Sequence, residues 1–149
     1  MPQPVLLGWR EWLSLPVLGI VAVRAKVDTG ARSSALHVLD QEEFLHEGRE
    51  FVRFLLDTGV PGQPPQPAQA AVIDRRRVTD SGGHTTQRIF IQTRLRLAGR
   101  EFDAEVNLTH RKNMLFPMLL GRTALAGRFL VDPASSFLQG DPPEGLLPP

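Results

Sequence analysis

The chain is understood most directly from one segment, Lys26-Val27-Asp28-Thr29-Gly30-Ala31. The residues before it, 18–23, are apolar and rich in β-branched side chains, which predicts a buried strand. Gly30 permits a sharp turn, and the Thr29 hydroxyl can hydrogen-bond within that turn. Asp28 would then be held at a strand end with its carboxylate facing a cleft, as a water-activating group requires. An ordinary aspartate turn has the same local sequence, so both interpretations stay open here.

Composition bounds the class of protein. The 149 residues are 42% hydrophobic and 22% charged, which is typical of one globular domain with a real core. We expect a single domain over residues 1–139 and a loose, Pro-rich tail over 140–149. The absence of cysteine excludes disulfides, thiolate chemistry and cysteine-ligated zinc. No stretch approaches the ~20 apolar residues of a membrane span, and no signal peptide pattern is present, so we expect a cytoplasmic protein without membrane contact.

Charge is balanced overall but uneven along the chain. The net charge of +1 gives no general attraction to nucleic acid. Residues 74–112, however, carry nine Lys or Arg against five Asp or Glu. This surplus is consistent with a modest basic face, and equally with an ordinary solvated surface.

The rest of the chain shows short strand-like runs separated by turn signals and almost no helical periodicity. Strands are predicted within 51–56, 88–97, 101–108 and 129–132. Residues 39–50 are polar around a Gly48 turn, 61–69 form a Pro/Gln-rich loop, and 70–77 with 86–93 flank a hairpin turn at 80–84. Thr123 is a candidate cap for one short helix. These patterns predict an all-β domain, either a small barrel or a sandwich.

Three features in order resemble the retropepsin-like aspartic peptidases. They are the Asp28-Thr29-Gly30-Ala31 loop, the hairpin tip Ser81-Gly82-Gly83, and the apolar segment that ends in Leu119-Leu120-Gly121-Arg122. In that family an Asp-Thr-Gly loop, a mobile flap hairpin and an apolar-apolar-Gly-Arg segment build the active site. The resemblance implies a small closed barrel with a flap hairpin and one short C-terminal helix.

A closer resemblance extends over about residues 6–139. The segments at 26–37, 80–84, 107–122 and 129–133 are similar to those of a bacterial family described as ATP-dependent zinc proteases. Members are retropepsin-like in fold and are associated with an ATP-grasp ligase that adds glutamate tails to a ribosomal protein. The resemblance therefore implies a functional link to such a ligase, and one branch of the family is thought to trim such tails.

The zinc and ATP in that description find no matching motif. A zinc peptidase helix carries His-Glu-x-x-His, and the nearest match, residues 46–50, ends in Glu and contains a glycine. The four histidines lack ligand spacing, and no Gly-x-x-x-x-Gly-Lys phosphate loop is present. We expect no metal and no cofactor.

Aspartic peptidases need two carboxylates that share one proton. A second Asp-Thr-Gly begins at Asp57, but it is followed by Val60 and a Pro-rich loop rather than by a small residue and a strand. We therefore reject a pair within one chain and predict a C2 homodimer with one Asp28 from each subunit. The predicted catalytic residues are Asp28, Thr29 and Gly30.

The predicted substrate-binding residues are Ala31, Arg32, Ser81, Gly82, Gly83 and Arg122. Many viral retropepsins have an acidic residue where this chain has Arg32, so the charge at this position is reversed. With Lys26, residues 75–77, Arg88 and Arg111 nearby, a basic cleft would suit an acidic peptide, since arginine binds carboxylates with a bidentate fork. The alternative is that Arg32 pairs with a carboxylate of the fold and residues 75–77 face solvent.

These inferences lead to one hypothesis with two competitors. The first is a homodimeric aspartic endopeptidase that cleaves acidic, glutamate-rich tails, such as those added to a ribosomal protein. The alternative is a non-catalytic module of the same fold that binds an acidic protein partner. A metallohydrolase, as the family description states, is the third.

Overall fold

The computed structural model describes residues 3–110 and 115–142. Twelve strands, one four-residue α-helix and a three-residue 3₁₀-helix (Pro16–Leu18) are present in these ranges. In chain order they are β1 (Val5–Leu7), β2 (Arg10–Leu15), β3 (Ile20–Val27), β4 (Ser34–Val38), β5 (Asp40–His46), β6 (Arg49–Leu56), β7 (Gln66–Ala71), β8 (Asp74–Thr79), β9 (Thr85–Leu97), β10 (Arg100–His110), β11 (Met118–Leu120), α1 (Arg122–Leu125) and β12 (Phe129–Val131). The prediction of an all-β fold with one short C-terminal helix is confirmed.

The main sheet returns on itself. Its strands follow the order β10-β4-β11-β3-β2-β9-β8. An additional pairing between β9 and β10 closes all of these strands except β8 into a ring of six. β11 is parallel to β3 and antiparallel to β4, so it fills the space between them. The Asp28 loop connects β3 to β4 and therefore arches over the end of β11.

A second sheet of three strands has the order β5-β6-β7 and corrects two sequence expectations. Residues 40–46, expected to be merely polar chain, form β5, which is exposed along most of its length because it is an edge strand. Residues 66–69, expected to be loop, belong to β7, also an edge strand. Pro67 is compatible with this position because an edge strand has one side that needs no backbone donor.

The predicted hairpin is formed by β8 and β9, with a tip at 80–84. The predicted helix cap is wrong: Gly121 occupies the N-cap position without a side-chain hydrogen bond, and Thr123 lies inside α1. The expected loose tail begins at 140, and its residues from 143 onward lie outside the described part of the chain. Neither helix of the described residues is long and apolar enough to cross a membrane.

The core fills the ring of strands. Alternation along β2 turns every second side chain inward, as the sequence pattern requires of a half-buried strand. Full burial of a large aliphatic side chain contributes about 1.5–3 kcal/mol. The largest fully buried apolar side chains are Leu7, Leu15, Val23, Leu36, Val38, Leu56, Phe90, Ile91, Leu95, Met118 and Leu120.

One acid lies within this apolar environment. Glu11 is 0% exposed, and its carboxylate accepts backbone N–H groups from Gly8 at 2.7 Å, Leu138 at 3.0 Å and Gln139 at 3.1 Å. Three donors compensate the loss of hydration, which is what a buried carboxylate requires. Glu11 thereby attaches the C-terminal segment to the N-terminal strands.

Candidate active site

Asp28 lies at the first position after β3, partly buried, on the wall of a large cleft. Its backbone N–H donates to the Leu120 carbonyl at 2.9 Å, which attaches the loop to β11. Its carboxylate accepts the N–H of Gly30 at 2.9 Å. The predicted turn is therefore present, and Asp28 lines the cleft. The hydrogen bond to Thr29 expected inside the turn is absent from the described contacts, where the donor is Gly30.

The segment after β11 supports the far side of the loop. The Arg122 N–H donates to the Ala31 carbonyl at 2.7 Å, and the Gly121 N–H donates to Ser34 Oγ at 3.0 Å. A Cβ atom on Gly121 would lie 2.5 Å from the Ser33 carbonyl oxygen. Glycine is thus required here for space, because its φ of −97° is open to any residue. The apolar-apolar-Gly-Arg pattern has a steric cause.

Arg122 holds the loop from outside. Its Nη1 donates to the carbonyl oxygens of Thr29 and Gly30, at 3.4 Å and 3.3 Å. Arg122 therefore binds backbone carbonyl groups. It cannot pair with residue 32, because that position, which is acidic in many viral retropepsins, is an arginine in this chain. Arg32 itself is exposed, lines the cleft and makes no ion pair with any described residue. The alternative in which Arg32 pairs with a carboxylate of the fold is not observed among these residues.

The flap tip is organised by Asp80. Its carboxylate accepts the N–H groups of Gly82 and His84, both at 2.9 Å, and these bonds hold the pKa of Asp80 below its ordinary value. Gly83 has a φ of +82°, which the turn requires and glycine adopts readily. Ser81 lines the cleft, whereas Gly82 and Gly83 shape the turn and are not among the described residues that line it.

The three consecutive arginines of β8 have different roles. Arg75 donates to both Glu43 and Glu50, so it ties the flap to the three-stranded sheet. Arg76 binds Asp74 and Glu105, and its guanidinium lies 4.5 Å from the centre of the Phe90 ring. Arg77 is exposed, lines the cleft and has no ion pair with the residues described here. The sequence allowed two interpretations, in which all three arginines either line the cleft or face solvent. Neither interpretation holds for all three.

The cleft has a volume of about 2000 Å³ and a basic lining. Its described lining contains seven cations and four carboxylates. The cations are Lys26, Arg32, Arg76, Arg77, Arg88, Arg122 and Arg128, and the acids are Asp28, Asp80, Asp103 and Glu105. Three of these cations and three of these acids fall within 74–112, so the sequence surplus of that stretch adds no net charge to the described lining, and Arg111 lies outside the described residues.

A chain of hydrogen bonds through Asn107, a residue to which sequence reasoning gave no role of its own, connects Arg88 of the flap to Ser34. Arg88 Nη1 donates to Asn107 Oδ1 at 3.1 Å, and Asn107 Nδ2 donates to the Ser34 carbonyl at 3.0 Å. Asn107 is 1% exposed, although it sits in a strand whose alternation assigns it to the outer face. The available signal was a strand-disfavoured asparagine between two apolar residues.

The second Asp-Thr-Gly lies elsewhere. Asp57 follows β6 in a loop, and the carbonyl of Thr58 accepts the backbone N–H of Arg24 at 2.9 Å. Arg24 precedes Asp28 by four positions on β3, which corresponds to roughly 13 Å at ~3.3 Å per residue. Asp57 is not among the described residues that line the cleft. The duplicate motif therefore lies beside Arg24, and its aspartate does not join Asp28 in the described lining of the cleft.

Metal ligands are not gathered in the described ranges, 3–110 and 115–142. No group of three His, Asp or Glu side chains there could hold an ion. His37 is buried, with Nδ1 2.6 Å from the Phe116 carbonyl, and His46 packs edge-on against Phe51 at 5.5 Å. These two histidines serve packing and local hydrogen bonding.

Comparison with known proteins gives a consistent result. A family model described as the retropepsin-like aspartic endopeptidase RimB matches residues 6–142. Proteins named probable alpha-L-glutamate ligase are similar to this chain: that of Shewanella pealeana is 36% identical over 140 residues and that of Desulfotalea psychrophila 36% over 137, each covering 91% of this chain. The chain spans 30% of the length of these curated relatives. A crystal structure of a Legionella pneumophila protein of unknown function superposes with a TM-score of 0.76 at 27% identity, covering 91% of this chain and 98% of that one.

Proposed function

The chain belongs to the RimB-like family of retropepsin-like aspartic endopeptidases, and on that basis we propose that it hydrolyses peptide bonds as a homodimer with one Asp28 from each subunit. The observation that carries the proposal is the single Asp28 loop, supported by β11 and Arg122 at a large cleft, with the duplicate motif beside Arg24 and its aspartate absent from the described lining of the cleft. Thr29 and Gly30 are exposed in the single chain, so this side of the loop is accessible to a second copy.

The proposed chemistry follows from placing two like charges together. Two carboxylates ~3 Å apart cannot both ionise, so one stays protonated at neutral pH. The ionised Asp28 removes a proton from a water molecule, and the water oxygen attacks the scissile carbonyl carbon while the protonated Asp28 donates to its oxygen. The C–N bond of the resulting tetrahedral species then breaks, the departing amine takes the proton that the first Asp28 removed from the water, and a hydroxyl proton of the intermediate returns to the second Asp28. The flap covers the substrate and excludes bulk water.

We further propose that the substrate is an acidic, glutamate-rich peptide tail, such as one added to a ribosomal protein. The basic lining of the cleft supports this because a polyanionic peptide is attracted to a surface with seven cations and four acids. The relatives named as glutamate ligases support it as well, because a domain similar to this chain occupies about a third of each. A functional link between this protein and a glutamate ligase is part of the same proposal.

The test compares the two aspartates of the duplicated motif. Asp28→Asn should reduce cleavage of a glutamate-rich peptide by roughly 10²–10⁴-fold, because the acid–base group is lost. Asp57→Asn is the matched control and should retain activity. Sedimentation velocity should show the same dimer for both variants and for the native protein. Full activity in Asp28→Asn, or equal losses in both variants, would contradict the proposal.

Two further outcomes identify the competing functions. Equal peptide binding by the native protein and Asp28→Asn, with no cleavage by either on long incubation, would indicate a binding module. Loss of activity on treatment with a chelator, together with zinc in the purified protein, would indicate a metallohydrolase. We expect cleavage that persists in the presence of chelator.

A further inference from the structure

Arg88 differs from the other arginines of the flap in how its charge is compensated. It is partly buried on β9 and lines the cleft. Its Nε donates to Thr86 Oγ1 and its Nη1 to Asn107 Oδ1, both at 3.1 Å, and both acceptors are neutral. Arg76, its direct cross-strand neighbour, is bound instead by the carboxylates of Asp74 and Glu105. Among the described residues, no carboxylate pairs with Arg88.

A partly buried cation without a counter-ion is energetically unfavourable. Burial lowers the pKa of Arg88, and the charge of Asp80 offsets this effect only in part. A guanidinium in this state gains more from an arriving carboxylate than an exposed one, because part of its hydration has already been lost. Its Nη2 has no hydrogen-bond partner in the described ranges and remains available to such a ligand.

The support of Arg88 also fixes where that ligand would bind. Asn107 is buried and held by the Ser34 carbonyl, and Ser34 Oγ accepts the N–H of Gly121. Gly121 immediately precedes Arg122, which holds the Asp28 loop. The orientation of the guanidinium is therefore linked by three hydrogen bonds to the segment that supports the loop. A long flexible cation would otherwise lose considerable side-chain entropy on binding.

We propose that Arg88 is the carboxylate-binding residue of the cleft and receives the side-chain carboxylate of an acidic substrate residue, with Thr86 and Asn107 as its positioning residues. The identity of the ligand rests on the proposed function, whereas binding can be measured without hydrolysis. The assignment separates Arg88 from Arg75 and Arg76, whose charges are already used within the fold.

The test measures charge selectivity in a catalytically silent background. In full-length Asp28→Asn protein, fluorescence anisotropy compares a labelled glutamate-rich peptide with its glutamine counterpart. Arg88→Gln should weaken binding of the glutamate peptide about tenfold and leave the glutamine peptide unchanged. Arg96→Gln, an exposed arginine of the same strand that pairs with Glu101 outside this cleft, should alter neither. Thermal unfolding verifies that each variant folds.

A second pair of variants tests the site without removing the arginine. Thr86 is exposed, so Thr86→Glu places an internal carboxylate beside Arg88 with little risk to folding. It should weaken binding of the glutamate peptide by more than the uncharged Thr86→Gln, which removes the same hydroxyl without adding a carboxylate. Unchanged binding of the glutamate peptide by both Arg88→Gln and Thr86→Glu would overturn the assignment. So would the absence of any preference for glutamate over glutamine when Arg88 is intact.

Failure of this proposal is distinguishable from failure of the proposed function. If selectivity depends on Arg88 but the native protein cleaves neither peptide, the carboxylate site stands and the peptidase proposal falls. If cleavage depends on Asp28 while Arg88→Gln keeps full selectivity, the peptidase proposal stands and Arg88 has no such role.

Discussion

Replacing Gly121 with alanine should damage the proposed active site through a clash of less than 1 Å. The added Cβ would lie 2.5 Å from the Ser33 carbonyl oxygen and 3.0 Å from that of Ala31, whereas ordinary contact begins at 3.4 Å. Both neighbours are backbone atoms of the segment that follows Asp28, so no side chain can rotate away. The loop and the Gly121 segment must separate by about 0.9 Å.

Two magnitudes follow from this displacement. Overpacking of this size costs about 1–3 kcal/mol of unfolding free energy, and each kcal/mol lowers the Tm of a chain this long by roughly 2–4 °C. A displacement near 1 Å at catalytic groups reduces the rate about 100-fold. The stability loss is therefore moderate, and the loss of kcat is large.

The assay pairs this variant with Gly8→Ala. A Cβ on Gly8 would lie 2.3 Å from the Ser135 carbonyl oxygen, a clash of similar size directed at the C-terminal segment instead of the Asp28 loop. Both variants should unfold at lower temperature, but only Gly121→Ala should lose kcat on a glutamate-rich peptide at a temperature where both are folded. Native kcat in Gly121→Ala, or an equal loss in Gly8→Ala, would refute the reasoning.

Two further predictions concern buried and surface carboxylates. Glu11→Ala leaves three backbone N–H groups without an acceptor, which should lower the free energy of unfolding by about 1–3 kcal/mol for each group that stays buried. Hydrogen exchange at residues 138–139 should become faster. Unchanged exchange there would contradict the role assigned to Glu11. Asp80 should titrate below its ordinary value of 3.8 in carbon-detected NMR, because its ionised form accepts two N–H groups. The stabilisation of the flap tip by ionised Asp80 is therefore fully present above pH 3.8 and is lost as the pH falls through the lower pKa of the folded state. A measured Asp80 pKa at or above 3.8 would contradict this stabilisation.

Patterns of local origin could be predicted from the sequence. The apolar run before Asp28, the alternation of β9 and β10, and the glycine-tipped hairpin each depend on neighbouring residues, and the structure contains all of them. The position of β11 between β3 and β4 depends on tertiary packing, but resemblance to a known family identified the Gly-Arg pair that follows this strand. The all-β fold could be predicted from these features of the sequence.

What the sequence did not reveal depends on distant partners. Pro67 argued for a loop because a sequence does not show which strand will be at an edge. Glu11 was not singled out, since only the folded chain brings the N–H groups of residues 138 and 139 to it. Arg75 and Arg76 could not be distinguished from Arg77, because their carboxylate partners lie on strands as far as 32 positions away.

The place of β11 between β3 and β4 also sets an order in time. Arg122 and the Thr29 carbonyl that it contacts are separated by 93 positions. At a synthesis rate of about 5–20 residues per second, Arg122 is therefore added roughly 5–20 s after Thr29. During that interval a nascent chain already contains Asp28 but lacks the strand that completes the ring. Contacts of such long range also form late in folding. The proposed peptidase would therefore remain inert on the ribosome until almost the whole domain has been made.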